Sequence, residues 1–283
     1  MLSNESIARY REHGFLFADS LTEKETDLLR EEADREFLRD SPGRMLEKDR
    51  ATVRGVHGSH MVNSTFARLV RHPKIVTPAM RLLGGPVYVH QFKINAKKAL
   101  AGDVWPWHQD YIFWNRGDGM RRPDVVNVAV LLDEATDLNG PLLFLPGSHT
   151  CGSLEVERRP TAEGDDEAWR SDISADLVYA IDAPLLAKLT EHTDVTAVKG
   201  PPGSILLFDP QLVHASGANM APYDRRMVLV TYNRVDNPLG KVPSPRPDFL
   251  AARDNTPVRP LDPGADLFAW SSAGTFDLRQ VGE

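Results

Sequence analysis

Five short apolar runs constrain this chain more than anything else in it. "VYVHQFKIN" (87–95), "VVNVAVLL" (125–132), "PLLFLP" (141–146), "SILLFD" (204–209) and "MVLVTYN" (227–233) are β-branched or aromatic, and Gly, Pro, Asn or Asp bounds each one. Several strands without intervening helices point to a sandwich or barrel, not to a doubly wound parallel sheet. With 41% hydrophobic and 26% charged residues in 283, such a fold has enough apolar material for a sizeable core.

The segment ahead of the strands is helical. Asn4 is placed to cap a first helix that carries Ile7 and Tyr10 on one face and stops at Gly14, and "FLFA" follows as a short strand. Thr22 and Glu25 form a capping box before Leu29, Ala33 and Phe37 at four-residue spacing, and "DSPG" ends that helix. A polar stretch then leads to one helical pattern from about Ser64 to Leu83, broken by "GGP". The expected layout is a single domain with N-terminal helices over 1–84, a strand-rich core over 85–240 and a C-terminal wrap over 241–283. An acidic stretch and a helix-like "APLLAKLTEH" interrupt the core at 153–199, a length typical of a functional lid or a disordered excursion.

The formal net charge of -7 argues against nucleic acid as a partner. No apolar run reaches the length of a membrane span, and the first residues lack the basic-then-apolar layout of a signal peptide. The single cysteine, Cys151, excludes an internal disulfide framework and suits a reducing compartment, so a cytoplasmic location is expected.

One stretch carries the chemistry. "WPWHQDYIFW" (105–114) packs three of the five tryptophans around His108 and Asp110. A carboxylate among apolar rings is costly without a partner, and a metal ion is one such partner. On an extended segment residues two apart face the same way, so imidazole and carboxylate converge. The His-x-Asp dipeptide is weak by itself, because a plain hydrogen-bonded pair explains it as well. His214, just past the apolar strand at 204–209 and its turn, adds a second imidazole. Two histidines and one carboxylate make the facial triad of non-haem iron, whereas a structural zinc wants four protein ligands. Fe(II) bound by one carboxylate and one dicarboxylate co-substrate leaves a negative charge that needs a fixed cation. Arg225, at the start of the next strand, offers a planar fork for it, and Arg226 should face the other way. By two-residue alternation Gln91, Lys93 and Asn95 share one strand face, while Tyr88, His90, Phe92 and Ile94 share the other. Asn127 is an isolated amide in an apolar strand and must find a partner.

These motifs resemble the phytanoyl-CoA dioxygenase family of Fe(II)/2-oxoglutarate oxygenases. "WHQDYIFWNRGDGM", "NGPLLFLPGSH" and "HASGANMAPYDRRMVLVTYN", joined by "VYVHQFKIN" and "LEKDRATVRGVHGSH", look most like segments of the ectoine hydroxylases within it. The likeness covers roughly residues 45–240. It implies a mainly β fold with flanking helices, a double-stranded β-helix of jelly-roll or cupin type. It also implies iron held by His108, Asp110 and His214, with 2-oxoglutarate and O2 as co-substrates. Arg225 would pair with the distal carboxylate of 2-oxoglutarate, helped by Asn127, where those enzymes carry a serine. Gln91, Asn95 and Trp114 would line the co-substrate and substrate pocket, and Arg54, Phe113 and Leu229 are candidate substrate contacts.

Two departures point away from ectoine itself. Leu229 stands where an aromatic contacts substrate in those enzymes, and the 153–199 insertion is longer. The aromatics Trp105, Trp107, Tyr111 and Phe113 read mostly as core, His149 as a structural turn residue, and His57 and His60 as an exposed loop pair. The retained Asp110 favours oxygenation over halogenation. The expected enzyme is a dioxygenase that hydroxylates, or otherwise oxidises, an unactivated C–H of a small polar metabolite, amino-acid-like or a natural-product intermediate, yielding succinate and CO2. An ectoine-type hydroxylase, a non-catalytic cupin-like binder and a zinc hydrolase are the alternatives.

Overall fold

The computed structural model describes residues 2–160, 168–173 and 177–268. Four helices, interleaved with three strands, lie in the first 83 residues: α1 (Asn4–His13), α2 (Glu23–Leu38), α3 (Ser64–Leu69) and α4 (Pro73–Leu83). The strands are β1 (Phe15–Ser20), β2 (Arg44–Leu46), β3 (Val53–His57), β4 (Val87–Lys97), β5 (Trp105–His108), β6 (Val125–Leu131), β7 (Leu142–Phe144), β8 (Thr196–Val198), β9 (Ser204–Phe208), β10 (His214–Ser216) and β11 (Arg225–Arg234). A seven-stranded sheet runs β1-β9-β6-β11-β4-β3-β2 and a four-stranded sheet runs β5-β10-β7-β8.

Alternation along the strands of the large sheet divides two cores. Val126, Val128, Val130, Ile205, Leu207, Val228, Val230 and Tyr232 join the helix-side core with Leu29, Phe66 and Ile75. Their neighbours Ala129, Leu131, Leu206, Phe208, Met227 and Leu229 pack instead against Leu142, Phe144 and Val198 of the small sheet. Each fully buried Val or Leu contributes about 1.5–3 kcal/mol, so a one-residue slip that reversed these faces is strongly disfavoured. The result is the expected sandwich of two antiparallel sheets with helices on the outside of one.

Several expectations are corrected in detail. Ser3, not Asn4, caps α1, its side chain accepting from the Ser6 amide, whereas the Thr22–Glu25 capping box of α2 is present as expected. The helical pattern from Ser64 to Leu83 is two helices, because His72 caps a new helix at Pro73, whose missing N–H is tolerated in a first turn. In β4 the register with β11 steps from Thr231↔Gln91 to Tyr232↔Val89, leaving His90 as a bulge. Val87 and Val89 therefore join Phe92 and Ile94 in the helix-side core, while Tyr88 turns inward and accepts from Asn233 Nδ2. The grouping of Tyr88 and His90 with Phe92 and Ile94 does not hold, since a bulge resets the two-residue period.

The helix predicted in the insertion is α6 (Ala183–Thr190), capped by Asp182, with α5 (Tyr111–Phe113) a single turn after β5. Residues 161–167 and 174–176 of that insertion, and 269–283 of the expected C-terminal wrap, lie outside the described residues. The wrap from 241 to 268 runs along β4, its Ala252 and Val258 amides donating to the carbonyls of His90 and Val87. Among the described residues no helix is long and apolar enough to cross a membrane.

Candidate metal centre

The two strands that meet at the edge of the small sheet bring the histidines together. His214 on β10 lies directly opposite His108 on β5, with ring centroids 4.1 Å apart. Each Nδ1 donates to a backbone carbonyl two residues earlier, His108 to Pro106 at 2.7 Å and His214 to Leu212 at 2.9 Å. With Nδ1 holding the proton, each Nε2 presents a lone pair inward. Asp110 arrives by a different route from the expected alternation. β5 ends at His108, and Asp110 sits at φ -68, ψ -37, in a helical turn that points its carboxylate back at the two rings. Gln109 turns away and donates to Gly152 and Gln211 carbonyls.

Asp110 Oδ1 lies 3.6 Å from His108 Nε2 and Oδ2 lies 3.7 Å from His214 Nε2. Those separations are too long for hydrogen bonds but suit atoms that share a cation, and the three ligand atoms all lie within 4.8 Å of one another. Burial, and then the neighbouring His108, push His214 down to about 3, so it is a neutral ligand at physiological pH. Burial alone would raise Asp110, yet Lys93 and the two imidazoles hold it well below the usual carboxylate range. Two neutral nitrogens and one anionic oxygen fit Fe(II), and cysteine thiolate is not part of the set.

Asn127 differs from its expected role. Its Nδ2 donates to Asp110 Oδ2 at 2.7 Å and its Oδ1 accepts from Thr231 at 2.7 Å, so both ends of the amide are engaged in holding the carboxylate. It does not line the cavity that holds Arg225. Groups that orient a metal ligand in this way typically contribute about 10–100-fold in metal affinity. Asn127→Ala is expected to weaken iron binding by that order in a metal-competition titration while leaving the fold intact.

Two cavities flank the triad. The first is lined by Asn95, Lys97, His214, Ser216, Arg225 and Leu229, among others. Arg225 is buried; its Nη2 donates to the Gly140 carbonyl and to Ser216 Oγ at 3.1 Å, while Nε has no partner among the described residues. Burial lowers it to about 10, which leaves it cationic. Gly140 is at φ +68, and a Cβ there would lie 2.5 Å from the Gly217 carbonyl oxygen, so glycine is required where Arg225 docks. Lys97 Nζ donates to the Asp103 and Gly217 carbonyls, and burial followed by Arg225 pushes it down to about 6.

The second cavity is lined by His57, Gln91, Lys93, Phe113, Trp114 and Asp172, with His108 and Asp110 forming its iron-facing wall. Gln91 Nε2 donates to the Leu250 carbonyl at 2.7 Å, and the buried Trp114 stands edge-on to His90. Phe113 and Trp114 line this cavity, whereas Leu229 lines the Arg225 cavity. Arg54 is not a cavity residue. It is buried, bonded to Glu47 at 2.8 Å and to the Val104 carbonyl, and stacked 3.7 Å over Trp105. His57 and His60 are no exposed pair, since His57 is buried at the cavity wall and His60 stacks on Phe92. His149 is structural as expected, its Nε2 meeting the Arg11 carbonyl at 3.0 Å, and Cys151 is exposed.

Burial lowers His57 to about 3, well under its value of about 6.5 in an unfolded chain. The unfolded state then binds the extra proton between those values, so stability falls as pH drops below 6.5. Denaturant titrations at pH 7 and pH 5 should show the loss, with a slope of order 1 kcal/mol per pH unit from this residue, and His57→Asn should flatten it.

Sequence reading missed several of these residues. Lys97 continues the two-residue series of Gln91, Lys93 and Asn95 and was legible by extending it. Arg246, which also lines the second cavity, and Asp172 lie in a loop and a short 3-10 turn, where no period announces which way a side chain faces.

The model of the phytanoyl-CoA dioxygenase family matches residues 10–227. The chain is 42% identical over 260 residues to L-proline trans-4-hydroxylase of Streptomyces griseoviridis, covering 91% of this chain and 96% of that one. It is 31% identical over 272 residues to ectoine dioxygenase of Bordetella parapertussis, covering 92% and 86%. The crystal structure of EctD from S. alaskensis with 2-oxoglutarate and 5-hydroxyectoine superposes with a TM-score of 0.79 at 29% identity, covering 92% of this chain and 87% of that one. The same protein with bound Fe gives a TM-score of 0.76 at 28% identity over the same shares. An iron-competent triad, set in this sandwich and matched along nearly the whole chain, makes the protein an Fe(II)/2-oxoglutarate-dependent dioxygenase and a member of the phytanoyl-CoA dioxygenase family.

Proposed function

We propose that this chain hydroxylates a free cyclic α-amino acid, L-proline or a close homologue. The observation that carries the reading is Lys93, an ammonium with no hydrogen bond or ion pair among the described residues, on the wall shared by the two cavities. A substrate carboxylate seated on Lys93 places the carbon skeleton beside the iron-facing edges of His108 and Asp110. The relative at 42% identity acts on L-proline, and the greater distance from the ectoine dioxygenases agrees with the two departures noted in the sequence.

In this reading His108, Asp110 and His214 hold Fe(II), and the Arg225 cavity takes 2-oxoglutarate with its distal carboxylate on the guanidinium. Iron, 2-oxoglutarate and O2 supply the oxidising equivalents, releasing succinate and CO2 as one oxygen atom enters a C–H bond. The protein's own work is positioning and dryness. Asn127 and Thr231 hold Asp110 in place, Asn95 and Ser216 line the co-substrate path, and Phe113, Trp105 and Trp114 exclude water from the reacting carbon. Purified chain supplied with ferrous iron, 2-oxoglutarate and L-proline is expected to form succinate and an amino-acid product heavier by one oxygen in equal amounts. Consumption of ectoine instead, or succinate with no amino acid consumed, overturns the reading.

A further inference from the structure

We propose that Asp172, carried into the second cavity by the 153–199 insertion, binds the protonated amino nitrogen of the substrate and so selects α-amino acids over ligands that lack it. The inference rests on the amino-acid reading above and gives the insertion a recognition role.

Asp172 belongs to a 3-10 turn (Ala168–Ile173), and its side chain is 13% exposed. It lines the cavity with Lys93, Gln91, Phe113 and the iron ligands, and it also borders the outer cleft formed with Arg116, Arg158 and Tyr179. It therefore stands on the path between solvent and the triad. The carboxylate is poorly satisfied where it is. Its neighbour Arg246 approaches only to 3.8 Å, beyond hydrogen-bond range, because that guanidinium is already held by Asp118 through Nε at 2.7 Å and Nη2 at 2.6 Å. His90 is 3.3 Å from Asp118, and burial lowers its pKa, so it brings no charge to the group. Two carboxylates thus share one guanidinium, and Arg158 adds only a weaker attraction through space.

Among the described residues that arrangement leaves one carboxylate short of donors, and burial raises its pKa as expected for such a group. A secondary ammonium offers two N–H donors and the missing positive charge. Lys93, across the same cavity, has the opposite sign and needs an acceptor. A cation that makes no hydrogen bond among the described residues and meets Asp110 only through space, and an under-paired anion lining the same cavity, are the complement of a zwitterion. The same charge acts against the wrong ligand: 2-oxoglutarate has two carboxylates and no ammonium, so Asp172 repels it from the substrate side and leaves it to Arg225.

The test compares L-proline with tetrahydrofuran-2-carboxylate, which has an ether oxygen where proline has its nitrogen. Asp172→Asn keeps the shape and removes the charge. The expected result is a rise of about 10–100-fold in both KM and anaerobic calorimetric Kd for L-proline in the iron- and 2-oxoglutarate-loaded protein. The KM for 2-oxoglutarate should stay within about twofold, which also reports an intact fold, and preference should shift toward the ether by at least about tenfold. Asp172→Glu should recover part of the loss. Equal weakening of amine and ether would mean that Asp172 only tethers Arg246, and an unchanged proline Kd would mean that it does not touch substrate; either overturns the proposal while the function stands. Wild-type protein that neither binds nor turns over any α-amino acid overturns both.

Discussion

Asp110→Ala is expected to lower kcat/KM by about three orders of magnitude or more, with iron binding lost in parallel; a thousandfold corresponds to roughly 4 kcal/mol. Asp110 is the only anion in the triad, and it faces Lys93 as well as the two imidazoles. Without it a divalent cation would have two neutral nitrogens and a nearby ammonium, and the Asn127 amide would lose its acceptor. Metal content after dialysis against ferrous iron and the rate of succinate formation measure the two losses independently. A variant that keeps one iron per chain and near-normal turnover would show that the centre lies elsewhere.

The second large effect is expected at Arg225. Arg225→Met should raise the KM for 2-oxoglutarate by about 30–1000-fold, the order associated with stripping a buried carboxylate of its charged partner. The KM for the amino acid should change far less, because Arg225 lines the first cavity and not the second. Lys97 makes the prediction sharper. After burial, Arg225 is the strongest influence holding Lys97 down to about 6, so removing the guanidinium shifts Lys97 back toward its protonated form. A partial rescue by that ammonium is expected, stronger as pH falls, and Arg225→Met combined with Lys97→Met should lose more than the single variant. Initial rates against 2-oxoglutarate at pH 6.5 and 8 separate these cases, and equal KM values in the single and double variants would exclude the rescue.

Much of the centre was legible because its chemistry sits at strand ends. His108 and His214 stand beside apolar runs whose periodicity is plain, and Arg225 opens the next run. Asp110 does meet the two histidines, but by a route that alternation did not foresee: the strand reaches only as far as His108, and a helical turn completes the convergence. Strands β2, β3, β5, β8 and β10 were not legible, since they are short and lack the continuous apolar run that marks the equally short β7 and β9. Asn127 was singled out as an amide in need of a partner, but whether that partner was a ligand or Asp110 depended on a contact 17 positions away. The same limit applies to Arg54, whose salt bridge with Glu47 and stacking on Trp105 take it out of the cavity.

The amino-acid sequence by itself pointed to the sandwich, to the three residues that converge as candidate metal ligands and to the buried guanidinium beside them, because each depends on local pattern, residue chemistry and the likeness of whole segments to a family. Only the tertiary structure decided which polar groups are committed to one another and which remain open to a ligand. The bulge at His90, the amide that holds Asp110, and the meeting of Lys93 with Asp172 and Arg246 at one cavity all join segments far apart in the chain. Hydrogen-bond satisfaction and charge balance are properties of a packed interior, and they exist only once the sheets and the C-terminal segment have closed around it.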